Sequence, residues 1–169
     1  MAKRSFEESQ AEGGAHHRLA QLAGQYEGTT RLWFEPDRLA DESPCRGTLR
    51  PVAGGRFLLH EYEGSFQGKP LSGMAFIAYH LDMDRYEVAW LDSFHTGTSL
   101  MFSTGAGTSP GLAVLGSYGA PSGPPWGWRT EIHQPSADAL VITHYNIPPE
   151  GQGPESKAVE TVYRRVSTR

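Results

Sequence analysis

Apolar, β-branched and aromatic residues recur along this chain in short segments spaced about ten residues apart, separated by clusters of Gly, Pro, Asp and Ser. The pattern predicts about ten strands: Gln25–Phe34, Pro44–Val52, Arg56–Phe66, Leu71–His80, Arg85–Ser93, Thr98–Ser103, Gly111–Tyr118, Trp126–Gln134, Ala139–Ile147 and Lys157–Val166. One short helix is predicted over Gly14–Ala23, where Leu19 and Leu22 share a face and Gly24 follows as a stop. Short strands joined by brief turns, with no helical crossovers, pair with antiparallel neighbours. An open sheet of that width would leave two long edges, and pairing the last strand with the first removes both. The expected fold is therefore all-β: a closed antiparallel up-and-down barrel of about ten strands with one short N-terminal helix.

Alternation divides the strands into faces. In Arg85–Ser93 one face carries Tyr86, Val88, Trp90 and Asp92, and the other Arg85, Glu87, Ala89 and Leu91. The aromatic face is expected inside, as are Trp126, Trp128, Thr130 and Ile132, with Arg129, Glu131 and His133 facing solvent. His60 shares a face with Tyr62, and His144 with Asn146, in strands whose apolar residues do not decide between the faces. The proline-rich stretches Ala120–Pro125 and Pro148–Pro154 are expected as rim loops.

Length and composition narrow the class. The 169 residues suit one domain, expected over 14–169, preceded by a disordered or loosely attached segment over 1–13. A charged fraction of 20% against 38% hydrophobic residues marks a globular chain, and no apolar run is long enough to cross a bilayer. The net charge of −4 with scattered Lys and Arg argues against a nucleic-acid footprint. Lys3 and Arg4 are followed by Glu7 and Glu8 rather than an apolar run, and Cys45 is the single cysteine, so a cytoplasmic location is expected. No membrane or nucleic-acid partner is expected, and a homo-oligomer stays open.

The run Leu19-x-x-Leu22-x-Gly24-x-Tyr26-x-Gly28 resembles the opening of lipocalin-like (calycin) barrels, in which a Gly-x-Trp element closes the barrel base against a basic side chain of the final strand. That resemblance puts Tyr26 in the tryptophan's place and makes Arg164 or Arg165 the base. Trp33-Phe34-Glu35-Pro36-Asp37, Gly54 to Tyr62, Ser93-Phe94-His95-Thr96-Gly97, Trp126 to Glu131 and Ala158 to Tyr163 together resemble an uncharacterised bacterial family, the domain-of-unknown-function family numbered 1579, grouped with the calycin-like barrels. The resemblance runs from about Ala15 to Arg165; it implies the fold, and no activity, cofactor or catalytic residue comes with it. The helix-to-strand opening is also similar to that of nitrobindin-type barrels, whose haem iron is held by a histidine at the carboxy-terminal end. Lys157–Val166 has no histidine, the nearest being His144, so no haem and no other cofactor is expected.

Metal spacing is absent from His16, His17, His60, His80, His95, His133 and His144, and no metal site is assigned; His16 and His17 are expected to be solvated. There is no Gly-x-Ser-x-Gly elbow and no phosphate-cradling loop, so no catalytic residue is assigned. Asp92 and His95, three residues apart, are a carboxylate and an imidazole that could form a general base, at a spacing that ordinary turn chemistry explains equally well. The candidate pocket comprises His60, Tyr62, Trp90, Asp92, Trp128 and His144. Three functions remain: a barrel that binds a small, partly apolar molecule, the leading one; an enzyme acting on a small aromatic or lipid-like substrate in the same cavity; and a plugged barrel with a structural or interaction role.

Overall fold

A computed structural model describes residues 5–108 and 111–166. Two short helices, α1 (Phe6–Gln10) and α2 (Ala15–Gln21), lead into β1 (Gly24–Glu35), β2 (Arg38–Val52), β3 (Phe57–Phe66), β4 (Lys69–His80), β5 (Arg85–Asp92) and β6 (Met101–Gly105). A two-residue β7 (Gly107–Thr108) precedes β8 (Gly111–Tyr118), β9 (Trp126–Ser136), β10 (Ala139–Ile147) and β11 (Ser156–Arg165). Each long strand pairs antiparallel with its neighbours in sequence, β1 pairs with β11, and Thr104 of β6 pairs with Leu115 of β8. Ten strands thus close a complete up-and-down barrel, with β7 as a small flap on β8.

Several strands extend beyond the predicted bounds, β2 and β4 through tight turns. Residues 38–43, outside the predicted strands, continue β2, because Pro36 and Asp37 form a two-residue turn with Asp37 at φ 59° that pairs Glu35 with Arg38. Likewise β4 starts at Lys69, since Gln67 (φ 48°) and Gly68 (φ 76°) make a tight hairpin turn. The predicted Thr98–Ser103 strand shifts to Met101–Gly105 because residues 93–98 are taken up by a turn built on Asp92.

A second helix replaces part of the expected loose segment over 1–13, of which residues 1–4 lie outside the described residues. α1 is closed by a capping box between Ser5 and Glu8. Its Ser9 is fully buried and its Oγ lies 2.8 Å from His16 Nδ1. His16 is consequently buried too, not solvated as the sequence suggests: Phe6 packs on it edge-on at 4.8 Å and Tyr79 at 6.1 Å.

The helices sit at the end of the barrel where β1 begins. There Tyr26 is buried, its hydroxyl donates to the Leu22 carbonyl at 2.8 Å, and the Arg165 guanidinium lies over its ring at 5.0 Å. Arg165 also donates to the carbonyls of Gln21, Ala23 and Ala137, joining helix, first strand and last hairpin. Arg164 is exposed, one residue along a strand and so on the opposite face. Leu49, Leu58, Ile77, Tyr86, Leu140 and Tyr163 fill the interior above this seal.

Candidate functional site

The opposite end of the barrel is formed by the hairpin tips and by the loops 93–100, 119–125 and 148–155. Strand alternation delivers the side chains to it. In β5 every second residue is buried, which places Tyr86, Val88, Trp90 and Asp92 inside as their spacing predicts. Trp128, Thr130 and Ile132 of β9 are buried, whereas Trp126 is only partly so.

Trp90, Trp128 and His144 stack on one another, with ring centroids 5.5 Å apart for the two indoles and 5.1 and 5.4 Å from them to the imidazole. His95, in the loop after β5, lies 5.7 Å from Trp90 and 5.8 Å from Trp128. Both indole N–H groups are engaged: Trp90 Nε1 donates to the Tyr62 hydroxyl at 2.8 Å, and Trp128 Nε1 donates to His144 Nδ1 at 3.2 Å. The Thr130 hydroxyl also contacts His144 Nδ1 at 2.8 Å, because the β9–β10 register sets Thr130 opposite His144.

Asp92 organises the loop and the imidazole with different oxygens. Its Oδ1 accepts from the backbone N–H groups of Phe94 at 3.0 Å and Thr96 at 3.1 Å, and from that of His95, as an Asp in a turn does. Its Oδ2 lies 2.6 Å from His95 Nδ1 and accepts from the Tyr62 hydroxyl at 3.3 Å. One side chain thus makes both the turn and the carboxylate–imidazole contact that the spacing left open. Gly73 makes this possible: a Cβ there would lie 2.3 Å from the Tyr62 hydroxyl and 2.7 Å from Asp92 Cβ.

Burial tunes these groups. It pushes the Asp92 carboxyl upward, but the bond and charge of His95 and the backbone N–H groups of Thr96 and Phe94 outweigh it, and the net shift is downward. Burial drives His144 down to about 3, with the charges of His95 and His60 adding and that of Asp92 opposing. His60 falls to about 4 through burial alone. Its Nε2 lies 3.3 Å from the Tyr163 hydroxyl, its ring stacks on Tyr62 at 5.0 Å, and burial raises Tyr62, Tyr163 and Cys45.

A cavity of about 60 Å³ lies between these groups, bounded by His60, Tyr62, Trp90, Asp92, His95 and His144 among others, with Ile77, Val88, Ile132 and Ile142 as apolar walls. Of the six residues singled out in the sequence, five border it; Trp128 stands behind His144 and Trp90 as their stacking partner. His95, Thr130 and Tyr163 complete the arrangement and are not among those six. His95 could be found only through its proximity to Asp92, and Tyr163 only through the β1–β11 closure. The cavity is below the roughly 150 Å³ that accepts benzene in an engineered protein cavity, so anything larger than a few atoms requires side chains to move.

The family described as "protein of unknown function (DUF1579)" matches residues 11–165. The chain belongs to the DUF1579 family. Comparison with curated proteins finds no match. Among solved structures, this DUF1579 barrel is similar to the S-type phycobiliprotein lyase CPES from Guillardia theta, with a TM-score of 0.62, 12% identity, and coverage of 98% of this chain and 99% of that one. It is also similar to Rv2717c from M. tuberculosis, with a TM-score of 0.60, 17% identity, and coverage of 89% and 96%. At these identities the likeness is one of fold, a lipocalin-like closed barrel, and it assigns no role to any residue of the DUF1579 chain.

Proposed function

We propose that this protein binds a small, partly apolar molecule inside the barrel, at the end lined by Trp90, His95 and His144, with Trp128 stacked behind them. The observation that supports this most is the pairing of an indole wall with imidazole nitrogens that have no protein partner. Among the described residues, Nε2 of His95 and Nε2 of His144 make no hydrogen bond, although both side chains border the cavity. An apolar wall with a few polar anchors is the usual anatomy of a small-molecule site. The likeness to a phycobiliprotein lyase supports a ligand-handling barrel only at the level of the fold. The reading involves no cofactor, and the single buried Cys45 suits a cytoplasmic setting.

Tryptophan emission tests the proposal directly. Titration with small aromatic acids, fatty acids and isoprenoids is expected to give at least one saturable fluorescence change that weakens in Trp128→Leu. The same compound is expected to stabilise the fold by about 2.7 kcal/mol at one hundred times its dissociation constant. A panel that produces neither a titration nor a melting shift returns the barrel to the plugged reading, with its role on the outer surface.

A further inference from the structure

Hydrogen bonding fixes the proton positions of the two cavity imidazoles in opposite senses. His144 Nδ1 accepts from the Trp128 indole N–H, which is a donor only, so the neutral ring carries its proton on Nε2. Thr130 supports the same tautomer by donating its hydroxyl to that nitrogen. His95 Nδ1 faces the Asp92 carboxylate, an acceptor, so its neutral ring carries the proton on Nδ1 and presents Nε2 as a lone pair. Among the described residues no fully buried side-chain nitrogen or oxygen lacks a partner, so both unpartnered Nε2 atoms retain accessible surface. One imidazole thus offers a fixed donor and the other a fixed base, against the same pair of indoles.

Resting on the binding site proposed above, we infer that this end of the barrel moves a proton at the carbon next to a carbonyl of a small, flat ketone or aldehyde, with His95 as the base and His144 as the hydrogen-bond donor to the carbonyl oxygen. The α C–H proton passes to His95 Nε2, and its electron pair becomes the carbon–carbon π bond of the enolate. The carbonyl π pair moves to oxygen, where His144 Nε2–H receives it as a hydrogen bond. The proton returns from His95 to carbon and the π pairs move back, so nothing is oxidised, reduced or lost. Asp92 stabilises the imidazolium that forms on His95, and a side chain that is only 1% exposed leaves little water to compete for that bond. The low pKa of His144 keeps it an uncharged donor throughout. The Trp90 ring, which borders the cavity, would lie against the flat face of the substrate.

Exchange of α protons for deuterium in D₂O, followed by proton magnetic resonance, tests this with acetone, cyclopentanone and 2-indanone as probes of increasing flat area. The protein is expected to accelerate exchange of at least one probe by a hundredfold or more over an equal concentration of free imidazole, the range open to a positioned general base. His95→Gln is expected to lose that acceleration even at probe concentrations that saturate its tryptophan quenching. His144→Asn, which carries the comparison if His95→Gln does not fold, is expected to lose a tenfold or larger part of it. A probe that binds without accelerated exchange overturns the inference and leaves the binding site standing. Exchange undiminished in His95→Gln overturns it as well. Failure of all three ketones to bind rejects carbonyl compounds as the substrate class, and the wider ligand panel then decides the binding reading by itself.

Discussion

Acid is expected to unfold this barrel in a window set by its interior imidazoles. His60 and His144 are held near 4 and 3, against about 6.5 in an unfolded chain, because burial penalises the charged ring. A histidine with a depressed folded pKa contributes stability that is fully present above the unfolded value. That stability is lost as the pH falls, because the unfolded chain takes up the proton first. Each histidine costs about 1.4 kcal/mol per pH unit below 6.5 until its folded pKa is reached. Between about pH 7.5 and 4.5 the two together remove about 5 kcal/mol, which is comparable with the whole stability of a small domain. His16, also lowered by burial, acts in the same direction. Urea midpoints measured by tryptophan emission across this range are expected to fall steeply below pH 6.5, and His60→Gln should remove nearly half of the slope. A flat profile, or a slope unaltered in both His60→Gln and His144→Gln, would refute burial of these rings as its cause.

Two further substitutions separate the helix-sealed end of the barrel from the end that holds the cavity. Arg165→Met is expected to cost about 1–3 kcal/mol in urea unfolding, because three carbonyls lose a charged donor, whereas Arg164→Met should stay within about 0.5 kcal/mol. Equal effects would mean that Arg165 does not join helix to barrel. Gly73→Ala is expected to destabilise by about 1–3 kcal/mol, since its methyl group meets the Tyr62 hydroxyl and Asp92, and to shift Trp90 emission as the Tyr62 bond is disturbed. A crystal structure of that variant with Tyr62 unmoved would disprove the close packing.

The barrel and much of its inward face are legible from period-two alternation, which needs nothing beyond the strand itself. Trp90, Asp92, Trp128 and Thr130 are placed inside on that basis and lie there in the structure. Where two strands must be aligned, the sequence is silent: the contact of Thr130 with His144 depends on a register fixed by the loop 137–138 and by a bulge beside Val141. His16 escapes notice for a related reason, because the groups that bury it, Phe6, Ser9 and Tyr79, come from a second helix and from β4. The β2 extension is hidden by its charges, since Arg31–Glu42 and Arg38–Glu35 are ion pairs between β1 and β2 at exposed positions rather than apolar strand residues.

The two stacked tryptophans beside the cavity have spent their N–H groups on the protein, Trp90 on Tyr62 and Trp128 on His144. An incoming molecule therefore meets a Trp90 ring already held by Tyr62 and backed by Trp128, and neither indole can turn without leaving a polar partner stranded. The two indoles enter an encounter with little rotamer freedom left to surrender, so the room for a larger ligand comes from the other lining side chains. It follows that discrimination among candidate ligands rests on thickness and outline more than on hydrogen-bonding appetite. Close homologous compounds differing by one out-of-plane methyl should be separated sharply, mainly through how quickly they depart.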